Sequence, residues 1–233
     1  MTDDSFDTSF SRRRKNNMLL SKIRSRFVTL AVFTLLTGFA LGTPGVVHAA
    51  KWYVDNSLGE VKPEEKVAPV NPKPVQLLFE FQRDGASNPK ATTFTQPIAM
   101  DALKATGDFS EIVTTPTADG AVLSITFNNV VKQEEIDKAK HDGFRAGLGF
   151  GLFGGIVATD NYVITLTYIS QTGATPITHV VRHSLHMKYG KKDVEIPGTE
   201  VKNADEAVKI VIRQALQRGV NDIVADSAFP GRE

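Results

Sequence analysis

Two stretches of two-residue alternation constrain this chain more than any other feature. In VQLLFEFQ (75–82), Val75, Leu77, Phe79 and Phe81 go one way, while Gln76, Glu80 and Gln82 go the other. AVLSITFNNVV (121–131) repeats the pattern, with Leu123, Ile125, Phe127 and Val131 on one side and Ser124, Thr126 and Asn128 on the other. A period of two marks a half-buried strand. The chain must therefore build a sheet with one apolar face and cover that face with something equally apolar.

Other segments extend the sheet. NYVITLTYIS (161–170) is rich in β-branched and aromatic residues, which favour strands. QTGATP reads as a hairpin turn into a further strand, ITHVVRHSLHMKYG (177–190). FSEIVTT (109–115) reads as a short strand. RDGASNPK (83–90) and KKDVEIPGTEVK (191–202) read as loops.

Two helices supply the cover. Pro97 suits a first helical turn, where its missing N–H costs nothing, and Gly107 is the stop signal. Asn203, with Glu206 three residues on, resembles a capping box. Val208, Val211, Ile212, Ala215 and Ile223 follow it at helical spacing, with Gly219 a weak point among them. The expected fold is α+β: a mostly antiparallel sheet of about five strands with two helices on one face. Its order is β-α-β-β, a glycine-rich insert at 143–158, then β-β-α, within a domain at 75–229.

The N-terminus reads as an address. Arg12, Arg13, Arg14 and Lys15 open a basic region, FVTLAVFTLLTGFAL (27–41) is apolar, and Val47-His48-Ala49 ends a helix-breaking stretch. That is the order of a secretory signal peptide, expected over 1–49, with Met18 as an alternative start that gives an ordinary length. The apolar run is short of the ~20 residues that a spanning helix needs. Cleavage after Ala49 or Ala50 would leave an exported, periplasmic protein, with membrane association an open alternative. Residues 50–74 hold Pro63, Pro69, Pro72 and Pro74 among Lys and Glu, and read as a proline-rich linker.

Charge and cysteine usage exclude several classes. Seven of the 27 basic and three of the 26 acidic residues lie in 1–49, which leaves 20 against 23 in the remainder. A mildly acidic body has no general electrostatic pull toward nucleic acid. With no cysteine there are no disulfides, thiol nucleophiles or Cys-zinc sites.

The insert GFRAGLGFGLFGGI (143–156) contains Gly149-x-Gly151-x-x-Gly154, the spacing of a dinucleotide loop. Such a loop needs a strand before it, a helix after it and an acidic residue about 20 positions on. Here a charged segment precedes, a strand follows and 171–178 reads QTGATPIT, so no nucleotide and no other cofactor is expected. Phe144, Leu148, Phe150, Leu152 and Phe153 instead make the insert a candidate for partner or membrane contact, beside the simpler reading of self-packing. His179, His183 and His186 invite a metal site. On a strand, however, His179 and His183 stand about 13 Å apart and His186 faces the other way. They remain weak metal candidates, read first as hydrogen-bonded structural residues.

The envelope signal, the proline-rich leader, the β-α-β-β and β-β-α order and the late amphipathic helix together resemble a group of small bacterial envelope proteins. It includes the penicillin-binding-protein activator lipoproteins, the N-terminal domain of the Tol translocation protein and the curli secretion channel subunit. The insert leading into DNYVITLTYISQTG is similar to that of related lipoproteins. The lipid-anchor cysteine of such lipoproteins is missing here.

The resemblance implies binding or assembly in the cell envelope rather than catalysis. The expectation is a non-enzymatic protein that contacts an envelope protein or its own subunits through a sheet edge or the insert, with peripheral membrane contact as a further option. An exported enzyme, hydrolytic and centred near His179 and His183, is the alternative, and a structural homo-oligomer is the second.

Overall fold

A computed structural model describes residues 50–117, 120–131, 155–190 and 194–230. All of them belong to one unit, Val46–Glu233. The long strands are β2 (Val75–Arg83), β5 (Ala121–Val130), β6 (Gly155–Ile169) and β7 (Ile177–Gly190). Four short ones join them: β1 (Lys51–Val54), β3 (Ala86–Ser87), β4 (Ile112–Val113) and β8 (Thr199–Val201).

Together they form one eight-stranded sheet in the order β3-β2-β5-β6-β7-β1-β8, with β4 beside β2. This corrects the expectation of about five, mostly antiparallel strands. The sheet is mixed, because β2 pairs parallel with both β5 and β4. A parallel pair needs a crossover, and α1 (Pro89–Thr106) provides it between β2 and β5. The unforeseen strands β1, β3 and β8 have two to four residues each, too few for a period of two to declare itself.

α1 starts eight residues before Pro97. Asn88 is its N-cap, its side chain accepting from the Ala91 N–H at 3.2 Å, and Pro89 takes the first turn. Pro97 lies inside the helix. Gly107 closes it at φ 73°, a left-handed geometry that favours glycine. Ala91, Thr95, Ala99 and Ala102 turn inward, small enough to bring the helix close to the sheet. Buried Thr95 is satisfied by donating to the Ala91 carbonyl at 2.7 Å.

α2 (Ala204–Ala225) begins at Asn203, which accepts from the Glu206 N–H at 2.9 Å. Glu206 reaches back to accept from the Lys202 N–H, one residue outside the usual box. α2 packs on β7, α1 packs on β2, and the two helices touch. Both therefore cover the face that carries Leu77, Leu123, Ile125, Phe127, Ile164, Leu166 and Leu185, all of them nearly inaccessible. Phe127 stacks on Phe81 at 5.5 Å and meets Tyr162 at 5.1 Å, filling one end of the core. Tyr168 and Phe229, at 4.9 Å, fill the other.

The segment read as a linker is tied down. β1 inserts between β7 and β8. Beyond it no residue of 55–74 is buried, yet polar contacts strap it across the helices. Glu60 pairs with Arg213 at 2.5 Å and Glu65 with Arg218 at 2.9 Å. Lys66 donates to the Thr106 carbonyl at the end of α1. Asn221 of α2 accepts from the Val67 N–H at 2.8 Å and donates to the Glu65 carbonyl at 3.2 Å.

Candidate functional site

Strand β7 carries the three histidines and has a different neighbour along each half. Its register with β6 puts His179 and His183 on the helix-covered face and His186 on the other. His183 is buried. Its Nδ1 accepts from the Ser184 N–H at 2.9 Å, so the proton sits on Nε2, which donates to Gln214 Oε1 at 2.8 Å. Burial, chiefly, draws the imidazole below its ordinary pKa, against the opposing pull of the Gln214 bond. A neutral ring with both nitrogens engaged ties β7 to α2.

His179 faces the end of α2. Its Nε2 stands 3.5 Å from Asp226 Oδ2, within ion-pair range but without a hydrogen bond. His179 and His183 therefore have separate partners. Among the described residues, no three His, Asp or Glu side chains gather as metal ligands do.

His186 belongs to a chain of groups that the sequence did not suggest. Its Nδ1 meets Thr159 Oγ1 of β6 at 3.0 Å, and its Nε2 meets Asp55 Oδ2, just past β1, at 3.3 Å. Burial pushes the Asp55 carboxyl up. Hydrogen bonds from Ser57 and His186 outweigh that, so its pKa lies below the usual value. Nearby, Glu200 of β8 accepts from Lys51 at 3.0 Å and Tyr53 at 3.1 Å. These bonds hold its carboxyl below the usual range.

Asp55, His186 and Thr159 are the residue types of an acid–base relay. His186 is 7% exposed and Thr159 half-buried. Thr159 sits in the ladder between β6 and β7. The chain of bonds joins three strands. Its visible signal was KWYVD (51–55), in which Trp52 and Val54 alternate with Lys51, Tyr53 and Asp55. The prolines that follow masked it.

A cleft of about 190 Å³ lies between β1, β8 and α2, bordered by Val54, Ile210, Arg213 and Gln214. Ligand pockets usually run to about 300–1,000 Å³. Its strongest polar group, Arg213, is already paired with Glu60.

The other half of β7 offers a different kind of surface. β1 pairs with residues 185–188 and then leaves, its last bond running from the Asp55 N–H to the Ser184 carbonyl at 3.2 Å. From Ile177 to His183, β7 has β6 on one side and, among the described residues, no strand on the other. Because Ser184 turns its carbonyl outward, two-residue alternation makes Arg182, Val180 and Thr178 turn their N–H and C=O groups outward as well. All three are exposed, Val180 at 49%. Phe144, Leu148, Phe150, Leu152 and Phe153 lie outside the described residues; the end of the insert, from Gly155, is the start of β6.

No family model matches the chain, and no curated protein matches it. Among solved structures, a PelC dodecamer from Paraburkholderia phytofirmans is 14% identical, with a TM-score of 0.32 over 65% of this chain and 91% of that one. A second PelC dodecamer structure is 12% identical, with a TM-score of 0.30 over 72% and 95%. An uncharacterized protein is 11% identical, with a TM-score of 0.24 over 67% and 93%. None of these likenesses is close enough to carry an argument about fold or function.

Proposed function

We propose that this is an exported cell-envelope protein with a non-catalytic role in binding or assembly, and that the free edge of β7 is its contact surface. The observation that carries this reading is the run Ile177–His183, unpaired on one side among the described residues, with the outward backbone groups of Thr178, Val180 and Arg182. An edge of that length is a template for another strand, and soluble proteins usually blunt or cover one. His183 supports the same reading, since both its ring nitrogens are engaged in tying β7 to α2. The basic region, the apolar run 27–41 and the break before Ala49 support export.

Fractionation combined with an edge variant tests both parts. The tagged protein is expected in the envelope or periplasmic fraction. Val180→Pro is expected to lose the co-purifying partner while keeping its circular dichroism spectrum, because the N–H it removes points away from the ladder. A cytosolic protein, or a partner retained by Val180→Pro, overturns the reading.

A further inference from the structure

We propose that the partner on this edge is a second copy of the chain, paired antiparallel about a twofold axis at Val180. The inference rests on the reading of the β7 edge as a binding surface and names its occupant. Thr178, Val180 and Arg182 each turn one donor and one acceptor outward, and the flanking odd-numbered residues turn theirs toward β6. Only registers that set these three residues against one another satisfy both strands.

Charge selects among those registers. With the axis at Val180, Val180 meets its own copy and Thr178 meets Arg182, so three residue pairs exchange about six backbone bonds. Moving the axis to Arg182 sets guanidinium against guanidinium, which is destabilising. Moving it to Thr178 leaves Val180 and Arg182 beyond the partner's edge. The Val180 register is the one that uses every outward group of the edge and opposes no like charges.

Closure favours the same occupant. A twofold contact uses the same patch on both copies and stops at two. It covers both exposed Val180 side chains and closes the Ile177–His183 edge of each copy. The result is a sheet continuous through two copies.

The test uses the protein purified from expressing cells, at about 100 µM, where even a weak dimer is populated. Sedimentation is expected to give twice the chain mass. Amide hydrogen exchange is expected to show protection at Val180 and Arg182. Val180→Pro removes the donor at the axis from each copy and is expected to weaken association by about tenfold to a hundredfold. Val180→Lys, which keeps the backbone donor and sets two ammonium groups face to face, is expected to do the same with an unchanged fold. A single-chain mass at that concentration overturns the proposal, as does a dimer that both variants leave intact. A monomer that still captures an envelope protein through Val180 defeats the second copy and leaves the binding role standing.

Discussion

Gly219 of α2 lies directly against Leu166 of β6, so close that a Cβ at 219 would collide with the leucine's side-chain carbons. Glycine in a helix interior costs up to about 1 kcal/mol relative to alanine. Here that cost permits close contact between helix and sheet. Leu166 is fully buried, so any shift of its side chain takes place inside the packed core. Gly219→Ala is therefore expected to destabilise the protein by about 1–3 kcal/mol despite the better helix propensity of alanine. Denaturant unfolding checks this, and Leu166→Ala in the same chain is expected to make the Gly219 substitution less costly. A stabilising Gly219→Ala would show that the contact is looser than described.

Asn221 holds the strap through two bonds, from the Val67 N–H and to the Glu65 carbonyl. It is itself buried. Asn221→Ala leaves both backbone groups without their partner and is expected to cost about 1–3 kcal/mol. Limited proteolysis is expected to cut between residues 56 and 74 sooner in the variant than in the parent. The strap buries no apolar residue to hold it otherwise.

The pH dependence of stability carries the mark of His183. Burial lowers its pKa in the folded protein below the unfolded value of 6.5. Between the two values the unfolded chain binds more protons, so stability rises with pH through that window and is fully present above 6.5. His183→Gln is expected to flatten the slope in urea titrations from about pH 5 to 7. An unchanged slope would mean that the ring is not held neutral.

Asp108 gives the opposite sign. It is 3% exposed, its Oδ1 has no hydrogen-bond partner, and burial, chiefly, raises its carboxyl pKa against the pull of the Thr106 bond and Lys66. The folded state therefore disfavours its charge, and stability increases as pH falls through the raised value toward 3.8. Asp108→Asn keeps the shape without the charge. It is expected to stabilise the protein at pH 7, read as a higher Tm.

The sequence reveals this fold where its signals are long. Val75–Phe81 and Ala121–Phe127 alternate over enough residues to place two central strands, and Ile177–Gly190 was bounded at both ends by its turns. Short elements are not legible in that way. Lys51–Val54 and Thr199–Val201 become strands because each finds the other and β7, a long-range choice that no local pattern records. Pro97 misled because proline is a sound start signal, but Asn88-Pro89 is an equally sound one eight residues earlier. The candidate surface was legible only as a category. Many strands imply a sheet edge somewhere; that Ile177–His183 lacks a neighbour depends on where β1 stops pairing.

Site-specific photo-crosslinking in living cells tests the binding role most directly. A photoreactive residue at Val180, on the free edge, is compared with one at Lys209, exposed on the opposite side of the helix layer. A discrete adduct from Val180 and none from Lys209 is the predicted result. Equal yields from both positions, or no adduct from Val180, would contradict the assignment of the β7 edge as the contact surface.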